Sequence, residues 1–312
     1  MFSFHYLNDA PIIGIDDQPD LGGNVNGPSL IAAPEWLVDP PGKYLLYFAH
    51  HEGRSIRLAA SDQLTGPWKI ISPGPLDLEH SLFATNPPDE SQLHQEARAY
   101  MQDDADGNYP HIASPDVWVD HETEQIRLYY HGRLEDGRQR SRVALSRDGL
   151  NFAARMEIIG SPYLRIFCHD GWFYAIAMPG QLYRSTDGLG NFEAGPRLTT
   201  EAIRHHALLQ HGDQWLVLWT RVGDSPERIL LSILDTPDDW QQWGFAETRE
   251  IHRAQKTWEG ADITPRASQY GGSMERVNQL RDPAIFVEDG KIYLLYAIAG
   301  EQGIAIGELR KS

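Results

Sequence analysis

Arg281-Asp282-Pro283-Ala284-Ile285-Phe286, then Val287-Glu288-Asp289-Gly290, then Lys291-Ile292-Tyr293-Leu294-Leu295-Tyr296-Ala297 is the stretch that decides the fold. A short apolar run enters an Asp-Gly turn and leaves it as a second run of aromatic and branched residues. Asp-Gly supplies the positive-φ positions of a tight turn, so the stretch predicts a β-hairpin. A third run, Gly303 to Leu309, extends it to a three-stranded meander.

The same unit recurs along the chain. Gly27 to Ile31 leads through Pro41-Gly42 to Lys43 to Phe48, and Ala113 to Val119 leads to Ile126 to Tyr130. Ser161 to Phe167 leads through Asp170-Gly171 to Trp172 to Ile176, and Arg204 to Leu209 leads through Gly212-Asp213 to Gln214 to Trp219. Third strands follow, as at Ile56 to Ser61 and Ser141 to Ser146. The turns Ser146 to Phe152 and Ser185 to Phe192 resemble Asp-box turns, in which the Asp caps its own turn's amides and the aromatic enters the space between sheets.

Repeated meanders that each need a neighbour to bury their faces predict an all-β, five-bladed β-propeller. The blades fall at about 24–71, 111–160, 161–199, 201–250 and 281–312, in one domain spanning 1–312. The last copy lacks an outer strand. Phe2 to Tyr6, or Ile12 to Ile15, is available to supply it and remove an exposed sheet edge. Two long insertions interrupt the pattern, 72–110 and 251–279, and a short helix is expected over Gln92 to Met101, ahead of the acidic turn Asp103 to Gly107. Insertions of that length between compact units are commonly functional.

At 312 residues, 41% hydrophobic and 10% aromatic, the chain can bury a full core. A net charge of −17 repels phosphate backbones and anionic membranes. No run approaches the roughly 20 apolar residues of a membrane helix, and the N-terminus has no signal-peptide pattern. The expectation is a cytoplasmic protein with neither a nucleic-acid nor a membrane partner. The single cysteine, Cys168, is expected to be buried and inert.

In a propeller the first strand of each blade lines the axis. Aligning the copies by their turns puts Gly27, Ser114, Tyr163, His205 and Asp282 at one level. Ser29, Asp116, Arg165, Ala207 and Ala284 occupy the next, flanked above by Asn26, His111, Arg204, His206 and Arg281. Buried unpaired charge is costly, so this convergence of Asn, Asp, Arg and His points to a site. Asp116 and Asp282 are the candidate axial carboxylates; a loop-capping role for the first and an ion pair with Arg281 for the second stand as alternatives. Only one of His205 and His206 can face the axis, and the alignment selects His205. His50, His51, His131, Arg221, Asp224 and Glu227 stand at strand ends near one rim, where solvated surface is the plainer reading. Trp258-Glu259 sets an indole beside a carboxylate, as sugar-binding surfaces do and loop anchors also do. There is no phosphate-binding Gly loop, zinc spacing or Gly-x-Ser-x-Gly elbow. The histidines are numerous enough to hold a divalent ion on the axis, but their spacing forms no motif, and the reading requires no cofactor.

Gly27-Pro28-Ser29-Leu30, Tyr44 to Phe48 with Ile56 to Ser61, Gly66-Pro67-Trp68 and Arg281 to Phe286 together resemble the five-bladed propeller glycoside hydrolases of family 43 and its relatives. The resemblance covers nearly the whole chain and implies a carbohydrate substrate. It also implies an Asp base in blade one, a pKa-tuning Asp in blade two and a Glu acid in blade three. Asp116 matches the second. Asn26-Gly27-Pro28 and Gly160-Ser161-Pro162 stand where the other two belong, so the family mechanism does not transfer intact.

The expectation is therefore a propeller that binds an oligosaccharide and cleaves a glycosidic bond. Asp116 and Asp282 would be the axial carboxylates, with Glu259 or His205 the proton donor. Arg165, Arg204 and Arg281 would recognise substrate, with an acidic sugar favoured; Asn26, His50, His51, His111, His131, Arg221 and Trp258 complete the binding set. The alternatives are a histidine-based sugar lyase or isomerase using His205 and His131, and a binding propeller without chemistry.

Overall fold

A computed structural model describes residues 2–98 and 109–311. Five antiparallel sheets follow one another along the chain, each ordered inner to outer. Their inner strands are Asn26–Ala32, Ile112–Asp120, Arg165–His169, Ile203–His211 and Arg281–Glu288. Each starts within four residues of the position that the repeats predict. This is a five-bladed β-propeller.

Ring closure uses both candidate segments. Phe2–Tyr6 pairs antiparallel with Gly303–Lys311, from Phe2 opposite Lys311 to Tyr6 opposite Gly307. Ile13 and Gly14 pair with the start of that same strand, opposite Ile304 and Gly303. The edge of the last blade is thus covered along its length, as a sheet edge exposed to solvent would invite aggregation.

The apolar core is not one body. Leu45, Tyr47, Leu128 and Tyr130 pack between blades one and two; Tyr129, Leu164 and Ala175 pack between two and three. Equivalent clusters fill the remaining junctions: Ile176 with Trp219, Leu218 with Leu294, and Leu46 with Leu295. Second strands are therefore buried on both faces, which is why Tyr44–Ala49 reads as an unbroken apolar run. The Asp-box turns tie neighbouring sheets. Asp148 Oδ1 accepts from the Leu150 and Asn151 amides, and Tyr47 of the preceding blade donates to Gly149 O at 2.8 Å. Tyr129 donates to Gly188 O in the same way at 2.9 Å.

In the first insertion the expected helix has a helical turn over 95–98. Its remainder, with Asp103 to Gly107, lies outside the described residues. No helix among the described residues is long and apolar enough to cross a membrane.

Candidate functional site

The inner strands of blades one, two, four and five are irregular at the same level. Gly27, Ser114, Tyr163 and Asp282 all have positive φ, between 49° and 60°. Pairing with the second strand shifts register across Asn26/Ser29, Ala113/Asp116, Ile203/His206 and Arg281/Ala284. These are bulges, which re-aim side chains where a strand meets a site. The five residues aligned from sequence occupy that one level and are buried. A non-glycine residue in the left-handed region is strained, so Ser114, Tyr163 and Asp282 are held there by their surroundings.

At this level His205 Nδ1 faces Asp282 Oδ1 in close polar contact, and Asp282 Oδ2 accepts the Gly27 amide at 3.1 Å. The pair spans blades four, five and one. Burial pushes the His205 imidazole pKa down, against the opposing pull of Asp282. The Tyr163 ring lies 4.4 Å from His205 and 4.5 Å from His131, and a line of rings continues through His111 to His51. His206 turns the other way, donating to Ile176 O at 2.8 Å between sheets.

The arginines do not form the cationic ring expected for an acidic sugar. Arg204 donates to Glu227 Oε1 at 3.0 Å and to the carbonyls of Gln269 and Gly271. Arg281 donates to Glu301 Oε1 at 2.7 Å, to Gly271 O and to Gln279 Oε1. Glu301 Oε2 accepts from Asn24 and Asn26 and stands 3.8 Å from His51. Burial alone would raise the Glu301 pKa; His51, Arg281 and the two amides hold it well below the carboxylate range. Two buried guanidiniums meet two buried carboxylates, so their charges cancel. Asp282, for its part, pairs with His205 rather than with its neighbour Arg281, because the bulge separates their directions. Glu301 carries no sequence signal of its own beyond its place in the turn after the second strand of blade five, the place that His51 holds in blade one.

Other expected site residues lie elsewhere. Glu259 is fully buried between the outer strands of blades four and five, accepting from Tyr6 (2.7 Å), Tyr296 (2.8 Å), His252 (2.8 Å) and the Gln255 and Lys256 amides. Trp258 packs against Tyr6 beside it. The closing strand draws both residues away from the axis, so neither donates a proton nor stacks a sugar there. His50 turns toward Gly22, and its Nδ1 accepts the Glu52 amide. Arg221 is held on the rim by Asp224 and Glu201; Glu227, expected on that rim, is fully buried. Asp116 and Arg165 lie one level below the bulges, where all five second-level residues line a separate axial cavity. Arg165 donates to Pro115 O and His206 O. Cys168 is exposed rather than buried, because its strand is only five residues long and ends where that cavity opens.

Residues 266–273 cross the mouth. They touch His51 of blade one, Arg204 of blade four and Arg281 of blade five, and Tyr270 shares a cavity of about 380 Å³ with Arg133, Ser161 and Met178 of blades two and three. A Cβ on Gly272 would lie 2.6 Å from His51 Cγ. Gly272→Ala is therefore expected to displace the crossing segment and make it more sensitive to limited proteolysis; an unchanged digest would mean the contact is not tight. Among the described residues no group of three or more His, Cys, Asp or Glu converges to hold a metal ion.

No protein-family model matches the chain. "Uncharacterized protein R118" of Acanthamoeba polyphaga mimivirus is 35% identical over 314 residues, covering 92% of this chain and 84% of the viral protein. Among solved structures, a family-43 glycoside hydrolase of Bacillus licheniformis superimposes with a TM-score of 0.64 at 14% identity; it covers 97% of this chain, which spans only 54% of that larger one. A family-43 enzyme of Xanthomonas citri complexed with xylotriose gives 0.59 at 11% identity, covering 96% and 88% of the two chains. The α-L-arabinanase of Cellvibrio cellulosa gives 0.54 at 16%, covering 93% of each. At such identities the likeness carries the fold. The chain belongs to one family with the mimivirus protein, on the five-bladed propeller that family-43 glycoside hydrolases share.

Proposed function

We propose that the protein is a carbohydrate-active enzyme that cleaves a neutral glycoside at the axial mouth, with His205 as general acid–base and Asp282 as its orienting partner. The observation that carries this is the His205–Asp282 contact at the bulged level. A carboxylate on Nδ1 fixes the tautomer and turns Nε2 outward as the working nitrogen. The pairing supplies acid–base chemistry where the fold's usual Asp and Glu are replaced by the Asn26-Gly27 and Ser161-Pro162 segments. Tyr163 and His131, packed in line with His205, are the next groups toward substrate.

The neutral substrate follows from the internal cancellation of Arg204 and Arg281 by Glu227 and Glu301. Neutral pentose oligosaccharides are the first candidates, since a propeller of this shape in Xanthomonas citri is complexed with xylotriose. Entry is through the cavity bordered by Ser161, Pro162 and Tyr270, and requires residues 266–273 to lift from Arg204 and Arg281.

The test is incubation with xylo- and arabino-oligosaccharides, and with uronic-acid oligosaccharides as the substrates a lyase would need, reading reducing ends and near-ultraviolet absorbance together. Reducing ends without absorbance mean hydrolysis; an absorbing unsaturated product means a lyase. His205→Ala and Asp282→Asn should each lower turnover by about 10²–10⁴-fold with folding intact. Saturable binding with no product over the whole panel would sink the catalytic reading and leave a binding propeller.

A further inference from the structure

Beneath the bulged ring the axis opens into a cavity of about 350 Å³ at the far end of the inner strands. Asp116 and Arg165 stand side by side in its wall, with Trp118, Trp215, Gln210 and Cys168 also lining it. None of Tyr163, His205 or Asp282 lines it, so it is distinct from the mouth.

Arg165 is only 5% exposed. Its Nε and Nη1 donate to His206 O and Pro115 O, and Nη2 makes no hydrogen bond among the described residues. Asp116 accepts the Ile166 amide with Oδ2 at 2.8 Å, and its Oδ1 accepts none among the described residues. Arg165 Nη1 stands 3.8 Å from Asp116 Oδ1, too far for a hydrogen bond. The two groups therefore balance in charge while each keeps an open position. That balance disfavours both anions and cations. A guanidinium donor beside a carboxylate acceptor matches neighbouring hydroxyls, one accepting and one donating. Trp118 and Trp215 offer apolar walls to the faces of a ring. The volume lies at the small end of ligand pockets, about 300–1,000 Å³.

We infer that this cavity is a second binding site, taking a neutral polyhydroxylated molecule of monosaccharide size through adjacent hydroxyls bridging Asp116 and Arg165. The inference does not rest on turnover at the mouth.

Cys168, the chain's single cysteine, is exposed at this cavity and serves as the reporter. In the wild-type protein, D-xylose, L-arabinose or D-glucose should slow modification of Cys168 by a thiol reagent, saturably. Asp116→Asn keeps an acceptor for the Ile166 amide but loses the charge, and should weaken that protection by about 10-fold or more. Alkylating Cys168 with N-ethylmaleimide should in turn remove any sugar-dependent change in tryptophan fluorescence. His205→Ala should leave protection unchanged, which separates this site from the mouth even if no glycoside is ever cleaved. The inference is overturned by absence of protection from every sugar, by equal protection in Asp116→Asn, by loss of protection in His205→Ala, or by protection from glycine or acetate where the sugars give none.

Discussion

Lowering the pH from 7 to 5 should destabilise this protein and lower its melting temperature. His111, His131 and His206 are buried as neutral imidazoles; burial pushes His111 and His206 down to about 3 and His131 well below its usual 6.5. Their stabilisation is fully present above the unfolded value near 6.5 and is lost as pH falls toward the folded values, because the unfolded chain binds protons that the native one refuses. Each such histidine costs about 1.4 kcal/mol per pH unit in that window. Three of them amount to about 6 kcal/mol at pH 5, against a total stability of about 5–15 kcal/mol. His50, pushed by burial to about 4, adds in the same direction. The depressed carboxyls of Glu259 and Glu301 begin to act only below about 4.5, lower on the same slope. Thermal melts across pH 5 to 8 check this. A melting temperature that stays level from pH 7 down to pH 5 would show that these imidazoles are hydrated or already charged.

Glu259→Ala should open the ring. Glu259 accepts from Tyr6 on the closing strand, Tyr296 in blade five and His252 at the end of blade four, three segments that meet only because the propeller is closed. Burial alone would raise its pKa, yet the hydrogen bonds from His252, the Gln255 amide and Tyr6 hold it low, so the group is a buried anion. Removing it leaves its donors unpaired in an apolar junction, at a cost of about 3–5 kcal/mol. Denaturant unfolding, with hydrogen exchange along Phe2–Tyr6, would read the loss. A variant within about 0.5 kcal/mol of the parent, the range of ordinary surface changes, would mean that closure depends on backbone pairing alone.

The blades, their order and the closing strand are legible in the sequence because each rests on local patterning. Asp289-Gly290, Asp170-Gly171 and the Asp148 turn declare hairpins within a few residues, and period-2 alternation declares strands. The two axial levels are legible as well. Gly27, Ser114, Tyr163, His205 and Asp282 stand at the same place near the start of their copies, and a bulge recurs there in four of the five blades. What each axial charge does was decided only by tertiary structure. Arg204 meets Glu227, Gln269 and Gly271, and Arg281 meets Glu301, through loops whose paths no repeat specifies. Tyr6 and Glu259, 253 residues apart, are joined because ring closure brings the two ends of the chain together. Period and turn chemistry act over a few residues, whereas the partner of a buried charge is whichever group the closed ring brings within about 3 Å.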